Sequence, residues 1–286
     1  MKRYHYFRHF FSAIALCSVL FFVVGCSNEP TSGPISPINP AAKPSQLNKI
    51  RPVPRKSDDA APGHHSLAKG AFTDAQLIAL INQQPALSSG NLKTILLSES
   101  PLSSSVLMAV LNRNPKMSNG DLREVLLAST PLPVEVEQAV QNTTLLSSGD
   151  LQTVMEAQAG FGSHFLGTTV SKWTTKNDGG SVWHGGHKIK FPASALAQDA
   201  QAAITISPSN YIQVDFGPDG WFSKAVTVTI SYKNADLSGI SENSLTLAWY
   251  DETTGQWIDA GGTVDTTKKW VTAPVWHFTE YTISTR

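Results

Sequence analysis

Between Phe72 and Gln158 apolar residues return with a fixed beat. An apolar residue followed by a helix-capping residue recurs as Phe72-Thr73, Leu87-Ser88, Leu102-Ser103, Met117-Ser118 and Leu146-Ser147. Leu132-Pro133 fills the remaining slot, and the steps are 15, 15, 15, 15 and 14 residues. Counted from that first residue, positions 1, 6, 9 and 10 of each unit are apolar in 22 of 24 cases, the spacing of one face of a short helix. The two exceptions, Glu137 and Gln141, both fall in the fifth unit. Position 1 suits the outer residue of a hydrophobic staple and position 2 the N-cap, with Thr73 and Gln76 spaced as a capping box. Pro85, Pro101, Pro115 and Pro131 stop the helices. Gly90-Asn91-Leu92, Gly120-Asp121-Leu122 and Gly149-Asp150-Leu151 mark every other unit, so the repeat is a helix pair. Helices this short are marginal alone. The spacing therefore predicts a stacked array of six helices, about 15 residues per unit, over residues 71–159.

After Gly160-Phe161-Gly162 the period changes from that of a helix to that of a strand. The glycines resemble a fragment of a dinucleotide loop, but no strand precedes them and no spaced third glycine follows, so 160–168 reads as a hinge. Val226, Val228, Ile230 and Tyr232 then alternate with Thr227, Thr229 and Ser231, and Leu245, Leu247 and Trp249 alternate likewise. Turn signals at Asn177–Gly180, Gly217–Gly220, Glu252–Gly255 and Gly261-Gly262 separate the runs. Short strands with frequent turns predict an antiparallel β-sandwich over 169–286, making the chain a multidomain α + β protein.

The N-terminus has a different pattern again. Lys2, Arg3 and Arg8 precede an apolar run over Phe11–Val24, too short to span a bilayer comfortably and typical of a secretory signal. Val23-Val24-Gly25-Cys26 ends it and resembles the lipobox of bacterial lipoproteins. That resemblance implies removal of residues 1–25 and acylation of Cys26, and Ser27 behind it implies sorting to the outer membrane. Two or three acyl chains would anchor the protein stably where one would not. Cys17 leaves with the signal and Cys26 is used by the lipid, so no thiol remains for a disulfide, a metal or catalysis.

Residues 26–70 hold eight of the 17 prolines and no hydrophobic period, and read as the lipidated cysteine followed by a disordered tether. Lys43, Lys49, Arg51, Arg55 and Lys56 form a loose basic cluster there, either a contact for anionic headgroups or a solvated linker face. Over the whole chain, 22 basic and 22 acidic residues cancel. Removal of Lys2, Arg3 and Arg8 leaves 19 against 22, or −3, which excludes nucleic-acid binding through bulk positive charge. The helical stretch carries four basic and eight acidic residues, and arrays of this kind serve as protein-binding surfaces or as spacers.

Within the β region, several pieces in order resemble the ZU5 domain family. They are Gly179-Gly180-Ser181-Val182, Ile189-Lys190-Phe191-Pro192, Ala203-Ile204-Thr205-Ile206, Gly217-Pro218-Asp219-Gly220 with Phe222-Ser223-Lys224, Trp249-Tyr250-Asp251-Glu252 with Gly255-Gln256-Trp257, and Trp276-His277-Phe278-Thr279-Glu280-Tyr281. The resemblance runs from about Ser171 to Ser284. Ala225 stands where the family often has proline, and Thr279 where it often has serine. It implies a β-rich scaffold and protein-interaction module without a cofactor. Some members cut themselves at His-Phe-Ser.

Candidate chemistry is correspondingly sparse. In self-cleavage the Thr279 hydroxyl would attack the Phe278 carbonyl with His277 as base; the alternative is an ordinary closing strand with Phe278 in the core. His184 and His187 flank Gly185-Gly186 and could offer two metal ligands, joined by His277 or His164, or simply form a hairpin tip. Asp215, Asp219, Asp251 and Asp259 are turn-associated acids of the kind calcium takes, without EF-hand spacing. All seven tryptophans lie between Trp173 and Trp276, as a sugar-stacking platform or as core, with Trp249 and Trp270 at inward positions. Neither a Gly-x-Ser-x-Gly elbow nor a His-Glu-x-x-His pair is present. The expectation is a non-catalytic, envelope-anchored scaffold or protein-binding module that engages the bilayer and an envelope or extracellular protein. The alternatives are an autoproteolytic module cutting before Thr279 and a glycan-binding surface protein.

Overall fold

The computed structural model describes residues 50–56 and 70–286. The segment read as a signal (1–25), Cys26 and most of the segment read as a tether (26–70) lie outside the described residues. Among the described residues there are six α-helices followed by a mostly antiparallel β region, with one short strand ahead of the helices.

The helices are α1 (Asp74–Asn82), α2 (Ser89–Ser98), α3 (Ser104–Asn112), α4 (Asn119–Ala128), α5 (Val134–Gln141) and α6 (Ser148–Ala157). Thr73, Ser88, Ser103, Ser118 and Ser147 each take the N–H three residues on, and Thr73 with Gln76 closes a full capping box. Pro133 offers α5 no side-chain cap. Each helix packs on the one two places along, giving a row of α1, α3 and α5 beside a row of α2, α4 and α6. Leu92, Leu96, Val106, Leu107, Val125, Leu126, Val136 and Val154 fill the space between, fully buried. Polar side chains tie neighbouring helices both within and between the rows. Ser129 accepts from the Leu102 N–H at 3.3 Å, Gln158 from that of Leu132 at 2.9 Å, and Ser89 from that of Ser118 at 2.8 Å. Lys93 bridges to Asp121 (2.9 Å) and Glu124 (3.0 Å), and Arg123 to Asp150 (2.8 Å).

The strands are β1 (Arg51–Pro52), β2 (Thr169–Thr174), β3 (Gly180–His184), β4 (His187–Phe191), β5 (Ala200–Ile206), β6 (Gln213–Ser231), β7 (Leu245–Asp251), β8 (Gln256–Gly261), β9 (Thr263–Asp265) and β10 (Trp270–Thr285). They form one hydrogen-bonded sheet of ten strands, with the main path β2-β5-β6-β10-β7-β8. The hydrogen bonding is continuous through the whole network. The cause is the length of β6 and β10, 19 and 16 residues, which pair with each other and carry different neighbours on their two halves. β5 pairs with the first half of β6 and β4 with the second; β9 pairs with the first half of β10 and β7 with the last. All the pairings are antiparallel, and the sheet shares one core that takes in Val53 and runs from Val170 to Ile283.

Two expectations about boundaries are corrected. Residues 50–56, assigned to the tether, belong to the β unit. Arg51 and Pro52 pair with Thr285 and Ser284, the Val53 N–H donates to the Ile283 carbonyl at 2.9 Å, and the Val53 side chain is buried in the core. Pro52 and Pro54 lack N–H groups, but they alternate with Val53 and Arg55, whose N–H groups make the bonds, a pattern an edge strand tolerates. The 160–168 segment is not a free hinge either. Two 3-10 turns, Gln158–Gly160 and Gly162–Phe165, carry Phe165 into a fully buried site where its ring meets that of His184 edge-on, centroids 5.4 Å apart.

Candidate functional site

Helices and sheet belong to one compact unit, and the joint is made by the two residues that break the apolar repeat. Helix α5 lies against β2 and β3. The Glu137 carboxylate meets His184 Nδ1 at 2.7 Å and accepts the Gly185 N–H at 3.0 Å, with both side chains of the pair fully buried. One turn on, Gln141 accepts the Trp183 N–H (2.7 Å) and donates to the Trp183 carbonyl (2.7 Å). Gln138 does the same for Ser171, accepting its N–H at 2.8 Å and donating to its carbonyl. Three side chains of one helix thus complete backbone hydrogen bonds that a neighbouring strand would otherwise supply. Trp183 enters the core of the helical array, and Trp270 packs beside it.

This joint settles the geometry of His184 and His187. They flank the Gly185-Gly186 turn of the β3–β4 hairpin and pair with each other, as expected of a hairpin tip, but both are buried. His184 Nε2 contacts the Thr168 hydroxyl at 2.9 Å, and His187 Nδ1 accepts the Ser231 N–H at 3.2 Å. Burial, with help from Arg55 and His184, holds His187 well below the usual histidine range, so it is neutral. The His164 ring lies edge-on against Phe165. Among the described residues no group of three His, Cys, Asp or Glu is arranged to hold a metal ion.

The open site lies elsewhere, where the turns after β5 and within β6 and β7–β8 meet the middle of β10. Here a cleft of about 780 Å³ is lined by Trp221, Trp249, Tyr250 and His277, by the carboxylates of Asp215, Asp219, Glu252 and Glu280, and by hydroxyls of Thr205, Ser207, Thr253 and Thr279. β10 shifts register against β6 on either side of His277-Phe278, between Val275 and His277 and again between Phe278 and Glu280. His277 pairs with Trp221 and sits between two indoles, 4.8 Å from Trp221 and 4.6 Å from Trp249, centroid to centroid. Trp221 is 66% exposed, which leaves ring surface free for a ligand. Burial lowers the His277 pKa more than the Phe278 backbone and Asp251 raise it, so the ring is neutral near pH 7.

The electrostatics are one-sided. Among the described residues no Lys or Arg lines the cleft and none of its four carboxylates joins an ion pair. Burial and the neighbouring charges of Asp219, Glu280 and Glu252 push the Asp215 carboxyl up. Glu280 accepts the Ser207 hydroxyl at 2.8 Å. Of the four turn acids singled out in the sequence, Asp215 and Asp219 come together here. Asp251 instead caps its own turn through Thr253 and Thr254, and Asp259 bonds Arg286. Glu252 and Glu280 stand within the quoted turn and strand pieces, but nothing in the sequence marks them as site acids.

The three residues proposed for self-cleavage also lie here. Phe278 is buried against Phe222, Phe216 and Phe191. The Tyr281 hydroxyl donates to the His277 carbonyl at 2.7 Å. The Thr279 hydroxyl donates across to the Tyr250 carbonyl at 3.2 Å and makes no hydrogen bond with the His277 ring. The tryptophans divide between roles. Trp183 is core, Trp249 and Trp270 are partly buried against the two cores, and Trp173, Trp221 and Trp276 are exposed.

No protein-family model matches the chain, and no curated protein matches it significantly.

Proposed function

We propose that this chain is a bacterial envelope lipoprotein, held by acylated Cys26 at the outer membrane, and that it acts as a non-catalytic binding module. In this reading the helical repeats are a rigid brace and the ZU5-like β unit carries the ligand site. The observation that supports binding most directly is the cleft. It combines an exposed indole, two further aromatic rings and polar groups in one concave surface, the composition of a recognition site. The anchor would pull on the β unit first, because β1 joins the sheet beside the C-terminal end of β10. Fractionation tests the anchor: wild type should sediment with membranes, and Cys26→Ser should be released. A variant that still sediments would put the anchor elsewhere.

Self-cleavage between Phe278 and Thr279 is the second reading, favoured by the two register shifts that bracket that bond. Opposing it, the Thr279 hydroxyl is bonded to Tyr250 rather than to His277, and the reaction needs a base in contact with that hydroxyl.

A further inference from the structure

We propose that the cleft at Trp221 receives a basic segment of a partner protein, a lysine or arginine side chain lying on the indole with its cationic head among Asp215, Asp219, Glu252 and Glu280. This rests on the reading of the β unit as a binding module and names what it binds.

Charge complementarity selects this occupant. Four carboxylates converge on a partly enclosed, aromatic-walled space that no lysine or arginine lines among the described residues. His277, which lines the cleft, is kept neutral by its burial between the indoles. Asp215 is already disfavoured as an anion by Asp219 and Glu280, so a ligand that brings positive charge relieves repulsion that a neutral one leaves in place. Ring faces add to the preference, because an ammonium or guanidinium group is attracted to indole and phenol faces and its alkyl stem packs on them. A neutral oligosaccharide would use the rings but gain nothing from the charge.

The test uses the mature chain carrying Cys26→Ser, titrated with octalysine and octaarginine while tryptophan fluorescence and binding heat are followed. Fully N-acetylated octalysine and a hexamer of N-acetylglucosamine serve as uncharged probes. Binding of the two cationic peptides should weaken tenfold or more in Trp221→Ala, and likewise in Asp215→Asn/Asp219→Asn. It should be unchanged in Asp74→Asn/Glu124→Gln, which removes the same charge from the helices. Trp221 is exposed, so its variant should keep the wild-type melting temperature. Absence of cationic-peptide binding, equal binding of the acetylated peptide, or equal weakening by the helical control would overturn the proposal. Binding of the glycan alone, lost in Trp221→Ala, would also overturn it while leaving the binding-module reading intact. A chain found to lack residues 279–286 would defeat that reading itself.

Discussion

The carboxylate of Glu137 and the imidazole of His184 meet at 2.7 Å in a space closed to solvent, 47 residues apart in sequence, and this contact joins the helices to the sheet. A buried pair of this kind gains little over a well-packed apolar pair, yet breaking it from one side strands the remaining polar group. Glu137→Ala should therefore cost about 3–5 kcal/mol in urea unfolding. The double change Glu137→Leu/His184→Leu should recover a large part of that loss. If the double variant were less stable than the single one by the full cost of a second site, the two residues would not act as a pair.

Gly186 sets how closely the hairpin approaches the helices. Its φ is +82°, and a Cβ there would overlap the backbone and side chain of Ala159. Gly186→Ala should lower stability by at least about 1–3 kcal/mol from the backbone conformation alone. Amide exchange should show the effect concentrated in β3, β4 and the turn at Gln158–Gly160. The neighbouring Gly185 has φ +53° and approaches Ile206 and Phe165, so alanine there should act similarly.

The strand before the helices is a part of the core. Val53→Ala should destabilise the protein by about 2 kcal/mol, as expected for a truncated buried valine. Arg51→Ala, at an exposed neighbour, should be close to neutral. Equal effects from the two would contradict the insertion of Val53, and thermal melts of the two variants decide it.

Acid should weaken the helical array through Asp121. Hydrogen bonds from Ser89, Ser118 and Lys93 hold its carboxyl at about 2 against an ordinary 3.8. Its folded-state pKa is depressed, so the unfolded chain takes up the proton first as pH falls. The stabilisation is complete above about pH 5 and is lost between pH 4 and 2. The stability gap between wild type and Asp121→Asn should be constant from pH 5 to 7 and shrink below 4, as followed by denaturant unfolding at each pH.

How much of this was legible in the sequence depended on how local its cause was. Helix starts could be read because a Ser or Thr cap and its N–H partner are three residues apart, and the caps at Thr73, Ser88, Ser103, Ser118 and Ser147 lie where the spacing predicts. Glu137 and Gln141 could be read only as exceptions. Their partners are 47 and 42 residues away, in a hairpin that the sequence placed at His184–His187 without showing that it packs on α5. β1 was hidden more deeply, since two prolines in five residues suggest a linker and the pairing strand lies 233 residues on. The cleft was half visible. Asp215 and Asp219 stood out as turn acids, but the convergence of Glu252 and Glu280 on them follows from the pairing of β5, β6, β7 and β10, which no local pattern encodes.

The most direct test of a non-catalytic role is the intact mass of the purified, denatured chain carrying Ser27–Arg286, compared between wild type and Thr279→Ala. A complete mass in both is expected, with Thr279 serving only as a strand residue bonded to Tyr250. A wild-type mass lacking Thr279–Arg286, restored to full length in Thr279→Ala, would contradict the account and make the β unit a self-processing element.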